Sequence, residues 1–385
     1  MKYITKRIKI GLLLAFSAMM VLSSCNKDPY IPLLDPNPTQ LPTPTLATLL
    51  DDPNYSIFKA AVVKATTFTP TLLPSLQTPS LRFTMFIPDN AAMTASGLSA
   101  ANITALTNDK VSAIVQYHII PQVINSGSIP TFFPNFAYPT IYNPLPAASP
   151  LLRLTTSPSN RNGYWLNNVP IVQLDIPAVN GVAHRIALAT APPSRSLWDR
   201  INTDADLTIF KAAVQRADSG FAPTNTAGLI WALTNLGPNL TVFAPSNQAM
   251  KNAVAILTGG GINNAQPDAT YITFLGGASV TTTSVKGIVV YHILGSGRAF
   301  LNNFPVVATA YPTLLNGGIP AHPGVTLKVT FTAGTITSAT VKGVGAANVT
   351  ASNIAINPTP DPGGTSDQHF INGTLHKIDQ MLFPQ

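Results

Sequence analysis

The chain has 385 residues and a formal net charge of +7, and only 10% of its residues are charged. All 15 acidic residues are Asp, which excludes any mechanism that needs a catalytic Glu. Four cations lie within the first ten residues, and without them the net charge is +3. Since no other cluster of Lys and Arg follows, we expect no nucleic-acid partner.

The N-terminus has the pattern of a secretion signal. A basic stretch, Met1–Ile10, precedes an apolar run of 12 residues, Gly11–Leu22, and two small residues. Such a series is typical of a cleaved signal peptide. The apolar run is shorter than the roughly 20 residues that span a bilayer. We therefore predict a signal peptide over residues 1–24.

The only cysteine of the chain, Cys25, directly follows this signal, so an intrachain disulfide is impossible. Leu22-Ser23-Ser24-Cys25 resembles the lipobox of bacterial lipoproteins. The resemblance implies that Cys25 is acylated and anchors the mature chain in a membrane. It also implies an outer-membrane location, periplasmic or surface-exposed, because Asn26 is not the Asp that retains such proteins in the inner membrane. A free cysteine is the alternative.

After the signal, 361 residues remain, more than a single hydrophobic core usually serves, so we expect two domains. Residues 25–44 contain six prolines, and a proline-rich segment is extended and semi-rigid. We interpret these residues as a tether between the lipid anchor and the first domain.

The first helix of each domain is predicted from an Asp cap and an apolar stripe. Asp52 and Asp204 precede segments in which apolar residues recur at helical spacing, such as Phe58 and Val62 in the first domain. Arg82–Ile87 alternates and is predicted as a strand that Pro88 ends. A short helix is expected after Asp89-Asn90, and a longer one that ends at a Tyr-His pair.

The second half of each domain is predicted to be mainly strands. The predicted strands are Leu151–Thr155, Pro170–Ile176, Val325–Phe331 and Thr335–Val341. Asn180-Gly181 and Asn372-Gly373 are hairpin-turn signals before a last strand. Helices early and strands late in each half indicate an α+β fold.

Self-comparison shows an internal repeat of four sequence blocks in the same order. The matching pairs are Ile57–Val62 with Ile209–Val214, Thr84–Asn90 with Thr241–Asn247, Tyr117–Ile120 with Tyr291–Leu294, and Asn180–Ile186 with Asn372–Ile378. We therefore predict two homologous domains over residues 45–192 and 193–385. The second is enlarged by insertions at Gly259–Thr283 and Asn353–Gln368.

These blocks resemble those of the fasciclin domain. Phe86-Ile87-Pro88-Asp89-Asn90 is similar to its first signature block, and Asn180-Gly181 through His184 to its second. The resemblance implies two tandem domains, each a β-sandwich or wedge with several packed short helices. It also implies a non-enzymatic role in adhesion or matrix interaction. The sequence carries no catalytic signature and no metal-ligand spacing, so no catalytic residue, cofactor or metal site is predicted.

Two groups of residues are candidates for the interaction itself. One is the Tyr-His pair of each domain, Tyr117-His118 and Tyr291-His292, since the resemblance implies a region that is linked to receptor binding in some animal members of the family. The alternative is that these side chains are buried and structural.

The other group is the aromatic residues of a proline-rich loop, Phe132, Phe133, Phe136 and Tyr138. Exposed aromatic side chains are good anchors for proteins or glycans. The alternative is that these rings cover the core of their own domain. We expect the partner of these residues to be a protein or a glycan. The second hypothesis for the function is a glycan-binding accessory lipoprotein that serves a polysaccharide-uptake system.

The loop Asp361–Asp367 contains two carboxylates and several Gly and Pro residues, which makes it a candidate calcium site. Its two carboxylates do not have the ligand spacing of a calcium loop, so a solvated loop is predicted there.

Overall fold

The computed structural model describes residues 43–222, 224–295 and 297–385. The predicted signal peptide, Cys25 and nearly all of the tether lie outside the described residues. Pro44–Gln385 form one compact unit that contains both repeats. We call residues 45–192 and 193–385 the first and the second repeat.

Short helices come before and between the strands of both repeats. The described helices are α1 (Leu46–Leu49), α2 (Ser56–Thr66), α3 (Leu72–Gln77), α4 (Asn90–Ala95), α5 (Ala100–Ala105) and α6 (Asn108–Tyr117) in the first repeat, then α7 (Leu197–Thr203), α8 (Thr208–Ala217), α9 (Leu229–Thr234), α10 (Asn247–Leu257), α11 (Asp268–Gly276) and α12 (Thr282–Tyr291) in the second. Single 3₁₀ turns cover Pro53–Tyr55, Ser126–Ser128, Ala205–Leu207, Leu301–Asn303 and Leu314–Gly317.

The strands form the following set. They are β1 (Phe83–Pro88), β2 (Ile119–Ile120), β3 (Tyr138–Pro139), β4 (Thr155–Thr156), β5 (Pro158–Ser159), β6 (Trp165–Leu166), β7 (Val169–Ala178), β8 (Gly181–Ile186), β9 (Leu240–Pro245), β10 (Ile293–Leu294), β11 (Thr309–Tyr311), β12 (Val325–Thr332), β13 (Thr335–Lys342), β14 (Ser352–Asn353), β15 (Gln368–Phe370) and β16 (Gly373–Ile378).

The predicted Asp caps are confirmed in both repeats. Asp52 and Asp204 each accept a hydrogen bond from the backbone N–H two residues on and begin a 3₁₀ turn that leads into α2 or α8. The predicted apolar stripe is buried in each helix, through Phe58, Val62 and their equivalents. Asp89 caps α4 as predicted.

A central strand in each repeat is buried on both faces. β1 pairs with β2 in antiparallel and with β8 in parallel orientation, and β9 pairs in the same way with β10 and β16. Met85 faces a cluster that includes Phe58 of α2, whereas Phe86 faces a second cluster under β7. Burial on both faces explains why β1 is apolar along its length. The predicted strand is confirmed, but the parallel pairing was not anticipated.

The turn glycines allow the last strand to approach the central one. Gly181 lies opposite Phe83 with a φ of +151°, and a Cβ built there would be 1.9 Å from the carbonyl oxygen of Phe83. A Cβ on Gly373 would be 2.1 Å from the carbonyl oxygen of Leu240. The two predicted hairpins, β7–β8 and β15–β16, are both confirmed.

Three of the four late strands were predicted correctly, namely those within β7, β12 and β13. The predicted strand Leu151–Thr155 is wrong. Only Thr155 belongs to a strand, the two-residue β4, and Leu151 is 85% exposed. An apolar residue that no partner covers does not stabilise a strand.

The two insertions of the second repeat are ordered. Gly259–Thr283 contains α11, whose Tyr271 packs into the core beside α8. Asn353–Gln368 holds Asp361, which pairs with Arg195 at 2.7 Å and Arg200 at 2.8 Å, and the buried Asp367. The prediction of a solvated loop is therefore wrong at both carboxylates, because distant basic and backbone groups neutralise or bind them.

Candidate interaction surface

The two Tyr-His pairs lie at equivalent helix ends and are fully buried. His118 caps the C-terminus of α6, where its Nδ1 donates to the Ile114 carbonyl oxygen at 2.8 Å. Its Nε2 accepts from the backbone N–H of Thr190 at 3.1 Å. His292 makes the same pair of bonds at the end of α12, to Ile288 and from Leu382. Each imidazole ring therefore links the C-terminus of a helix to the segment that follows the last strand of the same repeat.

The tyrosines of these pairs are also inside the protein. The hydroxyl of Tyr117 donates to the Thr155 carbonyl oxygen at 3.0 Å, and that of Tyr291 to the Gly324 carbonyl oxygen at 2.6 Å. A direct contact with a partner does not fit this burial. Of the two interpretations of Tyr117, His118, Tyr291 and His292, the structural one fits their placement.

A second pair of histidines holds the last strands. His184 on β8 and His376 on β16 each accept a backbone N–H at Nδ1, from Asp175 and Asp367. Each then donates from Nε2 to a backbone carbonyl oxygen. An imidazole that both donates and accepts must be neutral.

Burial keeps these rings neutral. Desolvation lowers the pKa of His118, His292 and His376 to about 4. The backbone carbonyl group that each ring hydrogen-bonds raises the pKa and so opposes this effect in part. Burial acts in the opposite direction on Asp367 and raises the pKa of its carboxyl group to about 7.

The two repeats meet around a buried arginine of the second repeat. Arg298 is 1% exposed and donates to the side chain of Asn239 at 3.0 Å, to the carbonyl oxygens of Phe370 and Ile371, and bonds His369. Its own carbonyl oxygen accepts the backbone N–H of Asn135 of the first repeat at 2.8 Å. Burial lowers the pKa of Arg298 to about 10, which leaves the guanidinium charged at neutral pH.

Amide side chains extend this contact between the repeats. Asn162 donates to the carbonyl oxygens of Asn302 and Phe304 at 3.0 and 2.9 Å. Asn302 donates back to the carbonyl oxygen of Asn167 at 2.9 Å. Hydrogen bonds in both directions, of which the one from Asn302 to Asn167 is buried, fix the orientation of the two surfaces. The sequence did not single out these residues, because isolated Asn and Arg carry no periodic signal.

The proline-rich aromatic loop also crosses to the second repeat. The ring of Phe133 packs edge-on against Phe304 and Tyr311, with centroid distances of 5.5 and 4.6 Å. The carbonyl oxygen of Phe132 accepts a bond from the Asn303 side chain at 3.2 Å. One ring of the loop therefore covers a core, but that core belongs to the other repeat.

The remaining rings of the loop form an exposed group. Phe132 and Phe136 are 55% and 49% exposed and lie edge to face at 6.3 Å. Tyr138 is half-buried, and the centroid of its ring lies 4.8 Å from that of Phe136. We call Phe132, Phe136 and Tyr138 the aromatic patch. Of the predicted interaction residues, Phe132 and Phe136 are the exposed ones, whereas Tyr138 is partly covered by the core of the first repeat.

Two further observations concern metals and membranes. Across residues 43–222, 224–295 and 297–385, no three His, Cys, Asp or Glu side chains are grouped closely enough to hold a metal ion. Over the same ranges, no helix has the length and apolar character needed to cross a bilayer.

Comparison with known proteins identifies the class of both repeats. The fasciclin domain model matches residues 53–189 and 205–384, and the chain therefore belongs to the fasciclin domain family. The resemblance seen in the sequence and the α+β fold are confirmed. The domain limits 45–192 and 193–385 themselves remain predictions.

The chain is also similar to two known proteins. Transforming growth factor-beta-induced protein ig-h3 from Sus scrofa is 28% identical over 184 residues, which are 44% of this chain and 23% of that protein. The match thus spans about a quarter of the length of that porcine protein. A FAS1 domain pair from the insect cell adhesion molecule fasciclin I has 16% identity and a TM-score of 0.34, over 84% of this chain and 96% of that chain.

Proposed function

We propose that this protein is a non-enzymatic lipoprotein, anchored through Cys25 at the outer membrane, that mediates adhesion or matrix interaction through the aromatic patch. Fasciclin domains are typically modules for adhesion or matrix interaction. The observation that carries the proposal is that Phe132 and Phe136 remain exposed on a loop that Phe133 and Asn135 fix to the second repeat. Rigid, exposed aromatic anchors bind with a small loss of conformational entropy.

The lipid anchor is supported by the N-terminal sequence alone, because Cys25 lies outside the described residues. The basic stretch, the short apolar run and the resemblance to a lipobox agree with one another. Two or more acyl chains hold a protein stably at a membrane.

The anchor is tested by replacing Cys25 with Ser. We expect the wild-type protein to incorporate labelled palmitate and to fractionate with outer membranes, whereas C25S incorporates no label and is absent from the outer-membrane fraction. A C25S variant that still incorporates palmitate, or that still fractionates with outer membranes, contradicts the anchor.

The patch is tested with the double variant F132A/F136A and with F68A as its matched control. Phe68 is 61% exposed and lies at the end of α2, outside the loop. We expect the double variant to reduce attachment to protein matrix at least tenfold, as for the loss of a binding hot spot of about 2 kcal/mol. F68A should attach like the wild type. Equal attachment of all three proteins contradicts a role for the patch.

The same variants separate the second hypothesis, a glycan-binding accessory lipoprotein. Two neighbouring exposed rings also offer an apolar face to a sugar. Binding to a glycan array that F132A/F136A removes, together with unchanged attachment to a protein matrix, favours the glycan partner. Loss of protein attachment without any glycan binding favours adhesion.

A further inference from the structure

A hairpin of the first repeat has an apolar tip that plays no part in the proposed function. β3 and β4 form the base of this hairpin, and backbone hydrogen bonds of Leu154 with Thr140 and Tyr142 extend it. The tip, residues 143–152, contains no charged residue. Leu145 is 51% exposed there and Leu151 is 85% exposed. We call residues 143–153 the leucine loop.

Hydrogen bonds within the leucine loop hold its tip in a closed conformation. The side chain of Asn143 accepts the N–H of Leu145 at 2.9 Å and donates to the carbonyl oxygen of Ser149 at 2.8 Å. The carbonyl oxygen of Leu145 accepts the N–H groups of Ala148 and Ser149 at 3.0 and 3.2 Å. The chain therefore fixes two leucines in an exposed position, although contact of apolar side chains with water is unfavourable.

The backbone of the tip depends little on water for its hydrogen bonds. Three residues of the tip have no N–H group because they are prolines, namely Pro144, Pro146 and Pro150. Four others donate their N–H groups within the loop, namely Leu145, Ala148, Ser149 and Leu151. In lipid, backbone polar groups need partners inside the protein, whereas a protein partner can supply hydrogen bonds itself. The tip thus suits an apolar solvent better than a second protein.

The one charged residue of the leucine loop lies directly behind the tip. Arg153 is exposed, and its Nη1 donates to the carbonyl oxygens of Pro150 and Leu152 at 2.7 Å each. Within the part of the chain that the structure describes, these bonds leave Nη2 and Nε for an outside acceptor. A guanidinium group binds phosphate well. An apolar tip followed by a guanidinium has the same order as the acyl chains and phosphate groups of a bilayer surface.

We propose that the leucine loop inserts Leu145 and Leu151 into the interfacial region of a phospholipid bilayer, with Arg153 at the phosphate groups. The contact is shallow and weak, because even one myristoyl chain gives only marginal binding. It therefore orients the first repeat on a membrane to which the chain is already held. This role goes beyond the proposed function and requires only that a bilayer is near.

The test places the protein on vesicles without using the lipid anchor. The chain from residue 26 carries an N-terminal hexahistidine tag and is held on phosphatidylcholine vesicles by a nickel-chelating lipid. Because the natural chain has a single cysteine, at position 25, A147C provides the only thiol for an environment-sensitive nitrobenzoxadiazole dye. Ala147 is exposed at the tip, and A265C, at an exposed position of the second repeat, is the control label.

We expect the emission of the A147C label to rise at least about twofold and to shift to shorter wavelength on vesicle attachment, as for a dye that enters the interface. Lipids with nitroxide-labelled acyl chains should quench it. The A265C label should change little. In L145S/L151S the change of the A147C label should be lost. V306S/V307S is the matched control, since Val306 and Val307 of the second repeat are 50% and 73% exposed, and it should retain the change.

Unchanged emission of the A147C label on vesicles overturns the proposal, and so does an equal change in L145S/L151S. A change that occurs without vesicles and grows with protein concentration assigns the tip to a second copy of the chain and also overturns it. F132A/F136A should retain the change, because the aromatic patch and the leucine loop share no residue. The result is also independent of the acylation of Cys25, so that this proposal and the proposed function can fail separately.

Discussion

Single asparagines connect the beginning and the end of each repeat. The buried side chain of Asn180 accepts from the N–H of Leu46 and donates to the Leu76 carbonyl oxygen, both at 2.8 Å. Asn372 does the same with Leu197 and Ala232. Because these bonds join segments more than 100 residues apart, the turn signal Asn-Gly also has a tertiary role.

Replacing Asn180 with Ala leaves one backbone N–H and one carbonyl oxygen without partners inside the protein. We expect the free energy of unfolding to fall by about 2–4 kcal/mol, since each unsatisfied buried group costs about 1–3 kcal/mol. Urea titration measures the change. The exposed Asn54 serves as the control position, and equal stability of N180A and N54A contradicts the role of Asn180.

Gly181 is required for the parallel pairing of β8 with β1. A Cβ there meets the Phe83 carbonyl oxygen at 1.9 Å on a backbone with positive φ, so we expect G181A to lose at least about 2 kcal/mol of stability or to fail to fold. Gly127 has open space around its Cβ position. G127A should therefore have the thermal midpoint of the wild type, and an unchanged midpoint for G181A refutes the argument.

At the scale of elements, the aromatic loop divides its rings between structure and surface. Phe133 packs against the second repeat, whereas Phe136 is exposed. We expect F133A to lower the free energy of unfolding by about 1–3 kcal/mol, from lost burial and a partial cavity. F136A should change it by less than about 1 kcal/mol. Chemical denaturation of both variants checks this difference, and the reverse order excludes the assigned roles.

At the scale of the whole molecule, the buried histidines make stability depend on pH. His118, His292 and His376 have a pKa of about 4 in the folded protein, below the value of about 6.5 in an unfolded chain. Between these limits the unfolded state binds more protons, so stability is full above pH 6.5 and falls as the pH decreases toward 4. Asp367, with its pKa raised to about 7, opposes one histidine because its proton stabilises the folded state below that pH.

For these four groups alone the net effect is about two protons, or a loss of about 3 kcal/mol per pH unit between pH 6.5 and 4. Burial also lowers the pKa of His184 and of His369, so these two rings add to the loss. Urea unfolding at several pH values measures this slope. In D367N the opposing carboxyl group is absent, so the slope should increase by about one proton. A flat stability profile over this range disagrees with neutral buried histidines.

The sequence by itself determined the family, the tandem repeat and most regular elements. Caps, turns and apolar periodicity act over a few residues, and so Asp52, Asp89, Asn180 and β1 could be recognised locally. The predicted strand Leu151–Thr155 is wrong for the same reason. Local composition can indicate a strand, but it does not supply a pairing partner.

Only the tertiary structure decided which polar groups are buried and where the two repeats touch. The partners of Arg298, Asn302 and Asp361 lie far away along the chain or in the other repeat, and no local pattern identifies them. The tertiary structure also distinguishes the exposed Phe132 and Phe136 from the packed Phe133, although all three belong to one short segment. Exposure of a side chain depends on what packs over it, and that is a property of the folded chain.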